Sequence, residues 1–151
     1  MDAIRKSEEL LAATIRGEEE TVARMIENAH QENTSILAYN DENSLACVIA
    51  LAYYSAKKNY VVYRELPTGK GFADMVFVPR KTTQTPAIVV ELKWNQTAEA
   101  AITQIKRKQY VESLKDYRGE VILVGINYES KELKKDDYKK HSCKIERITM
   151  A

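Results

Sequence analysis

Glu91 and Lys93 are the residues of this sequence whose types and spacing point most directly to chemistry. They lie in the stretch IVVELKW (residues 88–94), which is otherwise apolar and typical of a buried strand. Because side chains alternate along a strand, Glu91 and Lys93 share one face with Val89. A carboxylate in such a dry strand is costly unless it is paired or bound to a metal ion. The pattern therefore predicts either a functional site or an ion pair on this face.

Asp74 poses the same problem in the preceding apolar stretch, FADMVFV (residues 72–78). If the two strands are neighbours, Asp74 and Glu91 converge, and their repulsion raises the pKa of at least one carboxyl group unless a cation is present. Mg²⁺ and Mn²⁺ prefer such hard oxygen ligands, and a lysine nearby can stabilise an attacking hydroxide or a developing phosphorane charge. These residues thus suit phosphodiester hydrolysis. A buried ion pair, Glu91–Lys93 or Asp74–Lys93, explains them equally well.

The elements that must position these residues follow from apolar periodicity and turn residues. The pattern predicts helices over residues 2–15, 18–30, 42–57 and 97–116, and strands over residues 60–65, 72–78, 87–93, 120–128 and 143–148. Short connections indicate that the first three strands form an antiparallel meander. We therefore expect an α/β fold, a mixed sheet with helices on both faces. Residues 1–33 are expected to form a helical appendage, and residues 34–151 the main domain.

Composition limits the classes of function. The 151 residues carry 23 Lys and Arg against 22 Asp and Glu, and the net charge of +1 gives no global attraction to nucleic acid or membrane. Cys47 and Cys143 lie far apart in apolar patterns, without a CxxC or Cys/His cluster, which predicts buried free thiols rather than a zinc site. We see no secretory signal and no apolar run long enough to span a bilayer. A cytoplasmic protein with no membrane partner is expected.

The stretch GKGFADMVFVP…PAIVVELKW…AITQIKRKQY resembles the PD-(D/E)XK nuclease superfamily. In particular, it is similar to the C-terminal nuclease-like domain of a family of bacterial AAA-ATPase-like proteins, and the likeness runs from Leu37 to Ile148. The resemblance implies a restriction-endonuclease-like core. It also implies that Asp74 and Glu91 match the metal-binding acids of the family and that Lys93 matches its catalytic lysine.

The same resemblance implies roles for residues outside the strands. Glu42 matches an acid that often opens these domains and binds metal directly or through water, although favourable electrostatics in the first turn of a helix explains it equally well. Gln104 matches a helix glutamine that often lies near the site, whereas Tyr110 falls on another flank of a regular helix. The family name has proline before the aspartate, whereas this sequence has Ala73 before Asp74. The family varies at this position.

Three functions are consistent with these residues. The first is a nuclease that depends on Mg²⁺ or Mn²⁺ and acts on nucleic acid, DNA in preference to RNA. The second is a nuclease-fold module with little or no cleavage that docks nucleic acid or protein. The third is an accessory domain of an AAA-type ATPase. The intact set of Asp74, Glu91 and Lys93 favours the first.

Overall fold

The computed structural model describes residues 2–33, 53–65, 74–80, 85–94, 96–108, 117–128 and 141–150. In chain order these form α1 (Asp2–Arg16), α2 (Glu19–Asn33), a 3-10 helix (Tyr54–Lys58), β1 (Tyr60–Glu65), β2 (Asp74–Pro79), β3 (Ala87–Trp94), α3 (Ala98–Lys108), β4 (Gly119–Tyr128) and β5 (His141–Met150). The two predicted N-terminal helices and all five predicted strands are confirmed, with small shifts at their ends. No helix within these ranges is long and apolar enough to cross a membrane.

The predicted helix over residues 42–57 differs from the structure in the part that is described. From Tyr53 the chain makes a turn and then the 3-10 helix, which ends where Asn59 N–H donates to the Ala56 carbonyl at 3.1 Å. Such tight turns are frequent as connectors, and this one leads directly into β1. Residues 34–52 lie outside the described ranges, and so do residues 109–116 of the last predicted helix.

The five strands form one sheet in the order β1-β2-β3-β4-β5. The first three strands pair antiparallel, which confirms the predicted meander, and β5 pairs antiparallel with β4 at the end of the sheet. Only β3 and β4 are parallel, and a parallel pair needs a crossover connection, which here contains α3. All residues of β4 from Val121 to Tyr128 are buried, as expected for an apolar strand covered on both faces.

Each face of the sheet packs against helices. Ile88, Val90 and Leu92 of β3 belong to a buried cluster that includes residues of α1 and α2. Val89 belongs to a second cluster, with Ile102 of α3. This alternation places α1 and α2 on one face and α3 on the other, so the predicted mixed sheet with helices on both faces is confirmed.

The two N-terminal helices contribute directly to the larger cluster. Leu10 of α1 and Val22 and Ile26 of α2 are at most 2% exposed and lie in the same cluster as the strand residues. Gly17, with a φ of +77°, makes the turn between the helices in a conformation that favours glycine. A division of the chain after residue 33 stays a prediction, and a chain cut there would lose this apolar cover.

Helix α2 also covers the outer edge of β5. The Glu19 carboxylate accepts a hydrogen bond from Ile145 N–H at 2.7 Å. His141, whose side chain is fully buried, contacts the Glu27 carboxylate and packs on the Tyr128 ring at 4.8 Å between centroids. An edge covered in this way offers less backbone for pairing with another chain.

A buried hydroxyl pair joins α1 to the segment before β1. Thr14 Oγ1 and Tyr53 Oη lie 2.8 Å apart, and the two residues are 0% and 2% exposed. Replacing Thr14 by valine or Tyr53 by phenylalanine leaves the other hydroxyl without this bond, so we expect each change to lower the free energy of unfolding by about 1 to 2 kcal/mol. The double variant should lose less than the sum of the two, by about 1 kcal/mol. Urea denaturation of the four proteins measures this coupling, and strictly additive losses would show that the contact is absent.

Candidate active site

Asp74 and Glu91 occupy directly opposite positions on β2 and β3. Glu65 of β1 is in turn opposite Asp74, so three acidic residues occupy one row across adjacent strands. Opposite residues of antiparallel strands have Cα atoms about 4.5 to 5.5 Å apart. The expectation that β2 and β3 are neighbours is confirmed, and their register brings the two acids to one place in the sheet.

Glu91 and Lys93 are buried in the middle of the fold. Their exposed fractions are 0% and 3%, and both take part in polar or electrostatic interactions. Because they alternate with Leu92, which lies in the cluster under α1 and α2, they are on the α3 side of the sheet. Charged residues at this depth need partners that replace lost hydration. Such departures from an apolar pattern are expected mainly at functional sites.

Gly125 of β4 allows α3 to begin beside Glu91, with which Gly125 is paired. A Cβ atom at this position would lie 2.4 Å from the Ala98 carbonyl oxygen and 2.9 Å from the Ala101 Cβ. Any side chain would therefore push the first turn of α3 away from the sheet. Glycine within a strand often marks such a close approach.

Two polar side chains lie at the junction of β3 and α3, and they do different things. Asn127, which is paired with Lys93 in the sheet, accepts a hydrogen bond at Oδ1 from Gln96 N–H at 2.9 Å. Its Nδ2 donates to the Gln96 carbonyl at 3.0 Å. Thr97 Oγ1 accepts a hydrogen bond from Ala100 N–H at 2.9 Å and so caps α3. Asn127 therefore holds the Gln96 backbone against β4, just before α3 begins.

The remaining predicted site residues are less closely placed. Gln104 is half-buried on α3, about 9 Å along the helix axis from Ala98 at 1.5 Å per residue, and its role near the site stays a prediction. Glu42 and Tyr110 lie outside the described residues. Among the residues that are described, no group of three or more His, Cys, Asp or Glu is arranged to hold a metal ion. The metal-binding roles given to Asp74, Glu91 and Glu42 likewise stay predictions.

Sequence reasoning missed Gly125 and Asn127, which lie beside the site, and also the buried His141 at the edge of the sheet. Gly125 could have been found, because a glycine inside an otherwise apolar strand indicates close packing. Asn127 is the one amide in that same apolar run, which is a weaker sign of a buried polar contact. His141 lies in a polar stretch of the sequence, and its burial against Glu27 and Tyr128 depends on contacts distant in sequence.

Cys143 provides a test of the predicted buried thiols, whereas Cys47 lies outside the described residues. Cys143 is free and partly buried, and burial, followed by the charge of Glu19, raises the pKa of its thiol to about 12. Because the thiolate is the reactive form, we expect iodoacetamide at pH 8 to modify Cys143 at least about 100-fold more slowly in the native than in the denatured chain. Reactivity should rise only as the pH approaches 12. Mass spectrometry of the Cys143 peptide measures the modification rate in each chain. Equal rates in the native and denatured chains would show that burial does not protect the Cys143 thiol.

The sheet order and the helices on both faces define the class of this protein, an α/β protein with a restriction-endonuclease-like fold. A model of the PD-(D/E)XK nuclease superfamily matches residues 40–138. The chain therefore belongs to the PD-(D/E)XK nuclease superfamily, whose members generally use divalent metal ions. No curated protein matches the chain. Membership in the superfamily suggests a nuclease-type function.

Proposed function

We propose that this protein hydrolyses phosphodiester bonds in nucleic acid with the help of a divalent metal ion. The observation that carries the proposal is the register of β2 and β3, with Asp74 opposite Glu91 and Lys93 two residues further along β3. Two acids and a lysine in one part of a buried sheet suit this reaction. Membership in the superfamily supports the same chemistry.

The residues of the site fit Mg²⁺ or Mn²⁺. Glu91 is fully buried, and the residue opposite it is a second acid, Asp74. Two carboxylates in one apolar region repel each other unless a cation is bound, and carboxylate oxygens are the ligands that these ions prefer. We propose Asp74 and Glu91 as ligands, with Glu42 as a third, directly or through water. When bound, such an ion lowers the pKa of a coordinated water and offsets charge on the phosphate.

Lys93 is the proposed catalytic residue that acts on the reacting phosphate. With only 3% of its surface exposed, its ammonium group lies in low-dielectric surroundings, where attraction to a developing negative charge is stronger than in water. Lys93 would orient the attacking water and stabilise the charge that develops on the phosphate oxygens. We propose that Gln104 assists this positioning from α3.

The finer assignments rest on the sequence resemblance. We propose DNA in preference to RNA as the substrate, an AAA-type ATPase as a partner, and a cytoplasmic location. The net charge of +1 gives no general affinity for a polyanion, so recognition would depend on local contacts around the site. If the substrate preference, the partner or the location proves different, the proposed hydrolysis still stands.

A second candidate function is a docking module with little or no cleavage. The burial of Glu91 and Lys93 favours it, because exposed fractions of 0% and 3% suit an ion pair that serves the structure. A buried ion pair adds little net stability, because the cost of removing both charges from water offsets their attraction. Nucleic acid or another protein would then bind without reaching the two residues.

A cleavage assay separates the two candidates. End-labelled single- and double-stranded DNA and RNA of one sequence are incubated with the protein and Mg²⁺, Mn²⁺ or EDTA. We expect cleavage with either metal, none with EDTA, and faster cleavage of DNA. Asp74→Asn and Glu91→Gln should remove it. Cleavage that persists in EDTA or in both variants would refute the metal site, and binding of a substrate without any cleavage would establish the docking function instead.

A further inference from the structure

Asn127 holds both ends of the segment that joins Lys93 to α3. In the backbone it pairs with Lys93 across β3 and β4. Its side chain binds both polar groups of the Gln96 backbone, at 2.9 Å to the N–H and 3.0 Å to the carbonyl. Only 4% of Asn127 is exposed. A single buried residue of β4 thus contacts both Lys93 and Gln96.

The contact requires an amide side chain. An amide presents one acceptor and one donor in the geometry of a peptide group, and it meets Gln96 as a neighbouring strand would. Aspartate at this position keeps an acceptor but loses the donor, and leucine loses both. Because buried polar groups are costly without hydrogen bonds, this pair of bonds is what makes an asparagine tolerable in an apolar strand.

Asn127 also forms one side of the site. It alternates along β4 with Ile126 and Tyr128, which lie in the cluster under α1 and α2, so it is on the α3 side of the sheet. Lys93 is on the same side of β3, one strand away, at a spacing of about 4.8 Å. Its bonds to Gln96 lie between the end of β3 at Trp94 and the start of α3 at Ala98.

We propose that Asn127 is a positioning residue for Lys93. By holding Gln96 against β4, it fixes the end of β3 and, with it, the place of the Lys93 ammonium group relative to Glu91. The inference rests on the proposed function, since it concerns the lysine of the hydrolytic site. Asn127 acts through Gln96 and Lys93 and does not touch the substrate.

The test compares Asn127→Leu and Asn127→Asp with Thr97→Ala in the full chain. Thr97→Ala removes the cap of α3 in the same segment, at about 1 kcal/mol, and leaves the Asn127 bonds intact. In both Asn127 variants we expect kcat for nucleic-acid cleavage with Mg²⁺ to fall about 10- to 100-fold with little change in KM, because small displacements of a catalytic group are costly. Thr97→Ala should keep kcat within about 2-fold of the wild type, because the Lys93 connection is intact.

The fall in kcat at nearly constant KM distinguishes positioning from a merely structural role, and hydrogen exchange reports on the contact itself. Hydrogen exchange at the Gln96 amide should accelerate in Asn127→Leu, which removes the acceptor of this N–H, and stay slow in Thr97→Ala. Asn127→Asp keeps the acceptor for the Gln96 N–H but places a carboxylate oxygen against the Gln96 carbonyl, so kcat should fall although exchange at this amide changes less. Asn127→Asp keeps the size of the side chain and serves as the folded variant if Asn127→Leu unfolds.

The outcomes separate this inference from the proposed function. A wild-type protein that cleaves nucleic acid, with Asn127 variants that match Thr97→Ala in kcat, overturns the inference alone. Unchanged exchange at Gln96 in Asn127→Leu also overturns it, because the side chain of Asn127 would then not hold the Gln96 backbone. A wild-type protein that cleaves none of the substrates refutes the proposed function, and the positioning role with it.

Discussion

Replacing Lys93 by methionine is expected to reduce the rate of DNA cleavage by about 100- to 1,000-fold under single-turnover conditions with Mg²⁺. Methionine keeps the length and apolar stem of the side chain and removes its charge. Because Lys93 is buried beside the acidic row, its charge acts where little water competes. The loss should appear in the cleavage step, with DNA binding nearly unchanged. Single-turnover kinetics and fluorescence anisotropy measure the two separately.

Lys57→Met is the matched control. Lys57 is an exposed residue of the 3-10 helix whose ammonium lies 5.3 Å from the Tyr54 ring centroid. The change in charge is the same in both variants, so a loss seen only at Lys93 is specific to the site. Equal cleavage by Lys93→Met and the wild type would show that Lys93 serves only as a structural ion-pair partner. Near-ultraviolet circular dichroism checks that both variants keep the native packing.

Replacing Gly125 by alanine is expected to lower the free energy of unfolding by about 3 kcal/mol. The added methyl group would lie 2.4 Å from the Ala98 carbonyl oxygen, a backbone atom that cannot rotate away. Either α3 shifts outward or the strand moves, and both responses disturb the region beside Glu91. We therefore expect cleavage to fall together with stability. Urea denaturation and the cleavage assay measure the two effects.

Gly17→Ala separates steric from conformational effects. Gly17 has a φ of +77°, and a Cβ atom there would meet nothing within 4 Å. Its replacement should cost about 1 kcal/mol of backbone strain and leave cleavage unchanged. If Gly125→Ala is as stable as Gly17→Ala and retains full activity, α3 does not pack against β4 as closely as the structure indicates.

Local sequence patterns were sufficient for the strands and for the central pair of acids. Apolar runs with turn residues between them located β2 and β3, and the short connection made them neighbours. Once the strands are neighbours, Asp74 and Glu91 can converge, and the observed register places them opposite each other. Period-two alternation likewise placed Lys93 on the same side as Glu91.

The surroundings of these residues depend on contacts that local patterns do not encode. The close approach of α3 at Gly125 and the bonds from Asn127 to Gln96 join residues about 30 positions apart. The pairing of His141 with Glu27 joins residues 114 positions apart. The change from a predicted α-helix to a 3-10 helix at Tyr54–Lys58 reflects the tight entry into β1, which overrides helix propensity.

The position of a bound Mn²⁺ ion tests the central claim most directly, since the proposal requires the acids of β2 and β3 to hold the catalytic metal. Crystals soaked in Mn²⁺ give an anomalous difference map that locates the ion. We predict a peak within coordination distance of carboxylate oxygens of both Asp74 and Glu91, and its loss in Glu91→Gln. A well-ordered site without this peak, at Mn²⁺ concentrations that support cleavage in solution, would contradict the account.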